Sequence, residues 1–234
     1  MIRALAGLAV AAAALAVGVS SAGATNECRS LQVCVPIAGP WVVVPAGSAA
    51  PRPHVEFQLT CPRGYIVGGL DAELSDPAID VTFRATLGSP VNPGISTSRS
   101  AVFVASNVRT PARLSSFRPH IGCVPASGGG RRTPAVAHVV PPGHPSQHRV
   151  WTVKVIPGTN LSVTKSCAAG ETLVDATNAV GFYTAKPPAA ALMRAVTVSQ
   201  VERNGKTTVS IRSTAAVLGV RGIVQIGAVC GGGQ

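Results

Sequence analysis

Short runs of apolar and polar residues alternate along most of the chain. They include WVVV at 41–44, VEFQL at 55–59, YIVGGL at 65–70, TVSIRS at 208–213 and IVQIGAV at 223–229. These runs are rich in β-branched residues, and clusters of Gly, Pro, Asn and Ser separate them at strand-like intervals. The chain also has 19 prolines, which interrupt nearly every window long enough for a helix. The pattern therefore predicts an all-β protein.

One short segment favours a helix. The sequence PPAAALMRA at 187–195 starts with proline and continues with good helix formers. We expect a short helix there that leads into the strand AVTVSQV at 195–201.

Two similar units stand about 108 residues apart, which is far longer than the period of a solenoid repeat. Each unit begins with a tryptophan-containing run, WVVVP at 41–45 and WTVKVIP at 151–157. Each unit then has a cysteine in the pattern C-x-x-G-x-x-apolar. An Asn/Gly turn signal and an alternating run follow, and apolar residues precede the last cysteine. The four cysteines are Cys61 and Cys123 in the first unit, and Cys167 and Cys230 in the second.

The repeat also organises the cysteines. Pairing within each unit gives Cys61–Cys123 and Cys167–Cys230, and the remaining pair, Cys28–Cys34, closes a small loop. The prediction is two tandem duplicated β-sandwich domains, immunoglobulin-like or small barrels, each closed by one disulfide.

The cysteine spacing resembles that of immunoglobulin-like domains, in which two cysteines join the two sheets. In those domains a tryptophan follows the first cysteine, whereas Trp41 and Trp151 precede it. The cysteine motifs also resemble those of uncharacterised secreted actinobacterial proteins with disulfide-closed β-domains. This resemblance implies export and a disulfide, and it implies no known activity.

The amino-terminal residues are typical of a secretory signal peptide. Arg3 precedes a short apolar run, and Ala22 and Ala24 form a small-x-small cleavage pattern. The alternative is a membrane anchor, although the run is short for a bilayer span. No later stretch is long enough to cross a membrane, so we expect a secreted, extracellular protein. The predicted organisation is a signal peptide at 1–24, an N-terminal segment at 25–40 with the Cys28–Cys34 loop, β-domain 1 at 41–124, a Pro/Gly-rich linker at 125–149 and β-domain 2 at 150–234.

Charge adds a candidate binding property. The net charge is +11, and no acidic residue occurs between Asp80 and Glu171. A field of one sign attracts polyanions such as an anionic cell-envelope polymer or glycan, and the alternative is a basic surface without a specific partner. We do not expect a specific nucleic-acid partner, and the sequence does not indicate an oligomeric state. The candidate polyanion-binding residues are Arg84, Arg99, Arg109, Arg113, Arg118, Arg131 and Arg132.

Familiar catalytic patterns are absent from the sequence. It contains no G-x-S-x-G, no H-E-x-x-H and no C-x-x-C. The carboxylates of Asp71, Glu73, Asp76 and Asp80 fit no EF-hand spacing, and the excess of arginine favours ion pairs for them. We therefore predict no catalytic residues, no metal site and no cofactor.

The sequence is compatible with three functions. The leading hypothesis is an exported non-catalytic binding or cell-envelope-associated protein. The first alternative is an extracellular hydrolase whose site assembles only in space. The second is a secreted protease inhibitor that presents the basic segment GGGRRTP at 128–134.

Overall fold

The computed structural model describes residues 25–47, 52–84, 99–108, 113–126 and 147–232. The described residues form thirteen strands, a short α-helix and a 3₁₀ turn at Ala215–Val217. The first half contains β1 (Val35–Ala38), β2 (Trp41–Val44), β3 (His54–Thr60), β4 (Tyr65–Leu74), β5 (Ile79–Arg84), β6 (Ser100–Asn107) and β7 (Ser115–Pro125). The second half contains β8 (Gln147–Lys154), β9 (Asn160–Ser166), β10 (Thr172–Tyr183), α1 (Ala190–Arg194), β11 (Val196–Arg203), β12 (Lys206–Ser213) and β13 (Arg221–Gly231).

The all-β prediction is confirmed, and the one α-helix among the described residues lies inside the predicted segment. In the described part of the chain, no helix has the length and apolar character needed to cross a membrane. The predicted signal peptide and linker residues 127–146 lie outside the described residues.

Strand pairing in the first half creates two layers. In the smaller sheet, β6 is the central strand and pairs antiparallel with β3 and β5. In the other layer, β7 pairs with β4, β1 and β2. The β4–β7 ladder has a bulge between Val67 and Gly69.

Strand pairing in the second half follows the same order. The central β12 pairs with β9 and β11 in a three-stranded sheet. In the other layer, β13 pairs with β10 and β8, and the β10–β13 ladder has a bulge between Leu173 and Asp175. The Asn204–Gly205 pair makes the β11–β12 hairpin turn, with φ of 52° and 68°. These positive angles match a type I′ turn.

The two halves share one seven-stranded sheet because β2 pairs with both β7 and β10. One core cluster lies between this sheet and β3–β6–β5 and includes Phe57, Phe103 and Phe117. A second cluster, with Phe182 and Ile226, lies between the sheet and β9–β12–β11. The halves are therefore continuous through backbone hydrogen bonds.

A buried amide adds a second connection between the halves. Gln225 of β13 accepts a hydrogen bond from the backbone N–H of Gln58 at 2.6 Å and donates from Nε2 to the Gln58 carbonyl at 3.0 Å. Because β3 is an edge strand, this side chain satisfies backbone groups that its own sheet leaves unpaired.

Three disulfides are present, Cys28–Cys34, Cys61–Cys123 and Cys167–Cys230. Cys61 follows β3 and Cys123 lies in β7, so this bridge joins the two layers of the first half. Cys167 follows β9 and Cys230 lies in β13, so the third bridge joins the layers of the second half. Each long bridge thus fastens a small sheet to the shared sheet.

Candidate functional site

The outer side of the β9–β12–β11 sheet carries a regular array of polar side chains, which we call the Ser/Thr face. Alternation along each strand sends every second residue to this side, while Val209 and Ile211 on the other side are buried in the core. The antiparallel register aligns the outward residues in rows across the three strands. The face consists of Asn160, Ser162, Thr164, Ser166, Lys206, Thr208, Ser210, Arg212, Thr197, Ser199, Val201 and Arg203.

The Ser/Thr face is exposed and positively charged. All of its residues are exposed except Thr208, which is half-buried and whose hydroxyl lies 2.9 Å from that of Thr164. Its cations are Arg203, Lys206 and Arg212, and within the described residues none of them forms an ion pair. The face includes no carboxylate of its own. A ligand that approaches it therefore meets hydroxyl groups and uncompensated positive charge.

One end of the Ser/Thr face is a shallow depression of about 370 Å³. Its polar lining comes from Asn160, Ser162, Thr197, Ser199, Ser210 and Arg212. The guanidinium of Arg212 can bind a carboxylate through two parallel hydrogen bonds, and the surrounding hydroxyls can donate and accept. This combination suits a ligand with both hydroxyl and anionic groups.

Most of the described candidate arginines of the first half contact groups of their own chain. Arg84 Nη1 lies 3.0 Å from Glu56 Oε1, and Arg99 Nη2 donates to the Cys61 carbonyl at 2.9 Å. Arg118 donates from Nε to the Gly39 carbonyl at 3.2 Å. The carbonyl of the fourth, Arg113, accepts a hydrogen bond from Asn107 at 3.2 Å. Arg109, Arg131 and Arg132 lie outside the described residues.

A buried carboxylate occupies the junction between the two halves. Glu56 of β3 has a side chain only 5% exposed, with Arg84 on one side and His148 Nε2 4.0 Å from its Oε2. His148 Nδ1 lies 2.8 Å from Gln58 Oε1, an arrangement that fits an Nδ1–H donor. Nε2 then has no proton when the ring is neutral, and it has no hydrogen-bond partner among the described residues. Burial lowers the pKa of His148 from 6.5, the nearby Glu56 opposes that effect, and Arg84 adds to it.

This lowered pKa predicts a pH-dependent stability. The unfolded chain binds a proton at His148 more readily than the folded chain, so the free energy of unfolding should fall as the pH drops below about 6.5. We expect His148→Gln to flatten this dependence when unfolding midpoints are measured from about pH 5 to 8. His54→Gln is the comparison variant: His54 Nε2 also lies 4.0 Å from Glu56, but its side chain is 51% exposed, so this change should leave most of the pH dependence in place. An unchanged pH dependence in His148→Gln would contradict this assignment.

A second buried ionic cluster lies beneath the amino-terminal residues. His120 of β7 has Nδ1 3.6 Å from Glu27 Oε1 and Nε2 2.9 Å from Glu73 Oε1. Of the four acidic residues at 71–80 for which the sequence favours ion pairs, Glu73 thus contacts His120 and lies 3.9 Å from Arg118. Asp71 and Asp76 accept backbone N–H groups, those of Asn26 and Ala78 among them.

Within the described residues, neither the buried His120 nor the partly buried His148 forms a nucleophile–base pair. In the part of the chain that the structure describes, no serine, threonine or cysteine side chain is hydrogen-bonded to His120 or His148. The potential metal ligands that come together there are Cys167, Glu171 and Cys230. Their two sulfur atoms are joined in a disulfide, so they offer no thiolate.

The Ser/Thr face was missed by the sequence analysis, although a signal was present. Ser162-x-Thr164-x-Ser166 and Thr208-x-Ser210 place hydroxyls at the polar positions of alternating runs. Strand register, which brings these runs side by side, is the information that the sequence lacks. No protein-family model, curated protein or solved structure matches the chain.

Proposed function

We propose that this is an exported, non-catalytic binding protein of the cell envelope, and that it binds an acidic polysaccharide on the Ser/Thr face. The observation that carries the proposal is the combination of three cations, which form no ion pair within the described residues, with seven serine and threonine residues on one exposed sheet surface. Export is supported by the predicted signal peptide and by the three disulfides, which persist in oxidising compartments.

The chemistry of the face favours a sugar polymer with carboxylates. Hydroxyls on neighbouring strands match the donors and acceptors of sugar rings, and Arg212 and Arg203 can each bind a carboxylate in a fork. Polymer binding is assigned to this face rather than to the first-half arginines because Arg84, Arg99 and Arg118 already contact their own chain.

We also infer that the two halves arose by duplication of one β-sandwich unit. Support comes from the pairing order, in which β3–β6–β5 corresponds to β9–β12–β11 and the β7 partners β4 and β2 correspond to the β13 partners β10 and β8. The bulges in the β4–β7 and β10–β13 ladders occupy corresponding positions, beside Cys123 and Cys230. In the first half, however, Glu56 and Gln58 of β3 contact His148 and Gln225 of the second half. The corresponding surface of the second half is the exposed Ser/Thr face.

Arg212→Ala is expected to weaken binding to polygalacturonate by about 10- to 100-fold, because hydrogen bonds to a charged group contribute roughly 1.5–3 kcal/mol. The measurement is titration calorimetry at low ionic strength. The affinity of the unaltered protein should fall as salt is added, because the face is exposed and its charges are screened.

Arg63→Ala is the matched control, since it removes one exposed cation from the first half. It should bind like the unaltered protein. Neutral dextran should bind more weakly than polygalacturonate. If Arg63→Ala and Arg212→Ala lose affinity equally, or if polyphosphate binds as well as polygalacturonate, net charge alone explains binding and the polysaccharide site is refuted.

A further inference from the structure

We infer that cleavage after Ala24 creates an α-ammonium group on Thr25 that binds the carboxylates of Asp71 and Glu27, and that this contact fastens the N-terminal loop to the sheet. The N-terminal loop comprises residues 25–34 and is closed by the Cys28–Cys34 disulfide. The inference rests on the proposed export, because a signal peptidase has to produce the new amino terminus.

The N-terminal loop is fitted closely to the surface below it. A Cβ atom at Gly69 of β4 or at Gly122 of β7 would overlap the carbonyl oxygen of Glu27. Two glycines on neighbouring strands therefore make room for the backbone of the loop. This close approach buries the Glu27 side chain, which is 4% exposed.

The carboxylates already contact the residues at the cleavage point. Asp71 Oδ2 accepts the backbone N–H of Asn26 at 2.6 Å, and Glu27 Oε1 accepts the Thr25 hydroxyl at 3.2 Å. Thr25 directly precedes Asn26, whose N–H binds Asp71, and the hydroxyl of Thr25 itself binds Glu27. The proposed charge on the Thr25 backbone nitrogen would therefore lie within a few residue-lengths of backbone of two groups that these carboxylates already bind.

One buried oxygen in this cluster lacks a partner. Glu27 Oε2 has no hydrogen bond among the described residues, although its side chain is almost completely buried. The other charged or titratable groups beside it are His120, Glu73 and Arg118, and Arg118 Nη1 lies 3.9 Å from Glu73 rather than next to Glu27. The carboxylates of Glu27, Asp71 and Glu73 therefore share one arginine and one histidine. One more cation would bring the charges of this cluster closer to balance.

Cleavage supplies that cation. Hydrolysis of the Ala24–Thr25 peptide bond consumes one water, whose oxygen becomes part of the Ala24 carboxylate and whose two hydrogens convert the Thr25 amide nitrogen into an ammonium group. An α-amino group has a pKa of about 8, so it is charged at neutral pH. Before cleavage the same nitrogen is an uncharged amide with a single hydrogen.

The test compares two purified, oxidised proteins, one that begins at Thr25 after removal of a fusion partner and one with an added Gly-Ser in front. Both have an α-ammonium group, and only the first has it beside Asp71. We expect the Thr25 form to unfold about 3 °C higher at low salt. Amide hydrogen exchange in the N-terminal loop should also be slower in this form.

Asp71→Asn should remove the difference between the two forms, whereas Asp80→Asn, which alters an exposed carboxylate on β5, should preserve it. Equal unfolding temperatures and exchange rates in the two unaltered forms would overturn the ammonium contact, as would a difference that persists in Asp71→Asn. Mass spectrometry of the exported protein tests the cleavage point separately. A first residue other than Thr25 would overturn the inferred cleavage, and failure to be exported would refute the proposed function while the stability comparison still reports on the contact.

Discussion

Replacing Cys61 and Cys123 together by alanine is expected to lower the free energy of unfolding by about 4 kcal/mol. The disulfide spans a sequence separation of 62 residues, so its loss gives the unfolded chain a large gain in conformational freedom. Both cysteines are buried in the first core, at 1% and 0% exposure, so the change also removes packed sulfur atoms. The loss is a large share of the roughly 5–15 kcal/mol that stabilises a typical domain.

Urea unfolding followed by circular dichroism measures this effect. The Cys167→Ala, Cys230→Ala pair should cost a similar amount because its separation is 63 residues. Removing Cys28 and Cys34 is the control, since the sequence separation of this pair is only 6 and the entropy of closing so short a loop is smaller. If all three double variants unfold at the same urea concentration, loop closure does not explain the role of the long bridges.

The hydrophobic pattern was sufficient to predict the class of fold and many of its elements. The strand β12 keeps one side in a core and the other outside it, and its alternation of polar and apolar residues is visible in the sequence. The helix at Ala190–Arg194 and the Asn204–Gly205 turn were also predicted from local residue preferences. These features depend on residues that are close together in the sequence, so a single sequence is enough to predict them.

Long-range pairing explains what the sequence analysis missed. The strand β10 is the longest, yet Asp175 and Asn178 interrupt its apolar pattern. Asn178 fits because it donates a hydrogen bond to Gln200 of β11 at 2.9 Å. Nothing near β2 in the sequence indicates that it lies between β7 and β10. Hydrogen bonds between polar side chains on different sheets cannot be predicted from the sequence until the strand register is known.

The surroundings of the candidate residues also depend on long-range contacts that the sequence does not predict. Trp41 and Trp151 occupy matching positions in the repeat, but Trp41 is 3% exposed whereas Trp151 is half-buried beneath the Lys165 ammonium group, 5.7 Å from the ring centre. The distribution of charge likewise predicted that the first-half arginines bind a polyanion. Their contacts with Glu56, Glu73 and backbone carbonyls form between residues that are distant in the sequence and meet only in the folded chain.

Gly122→Ala is expected to destabilise the protein by about 3 kcal/mol, at the upper end of typical overpacking costs. The new Cβ would overlap the Glu27 carbonyl oxygen and lie 2.9 Å from Cys34 Sγ. Both obstacles belong to the N-terminal loop, and its disulfide limits how far the backbone can move locally. The simplest relief is therefore displacement of the whole loop, which would expose Glu27 and His120.

Urea unfolding and limited proteolysis distinguish this result from a general loss of packing. Gly231→Ala is the matched control, because this glycine also lies in a strand and its new Cβ would meet only a Val174 methyl group at 3.2 Å. We expect Gly231→Ala to cost less than about 1 kcal/mol, since an exposed methyl can rotate away. Gly122→Ala should additionally make residues 25–34 susceptible to cleavage under non-denaturing conditions, because the displaced loop loses its contacts with β4 and β7. Equal stability and equal protease resistance in the two variants would mean that the close approach of loop and sheet does not hold the amino terminus in place.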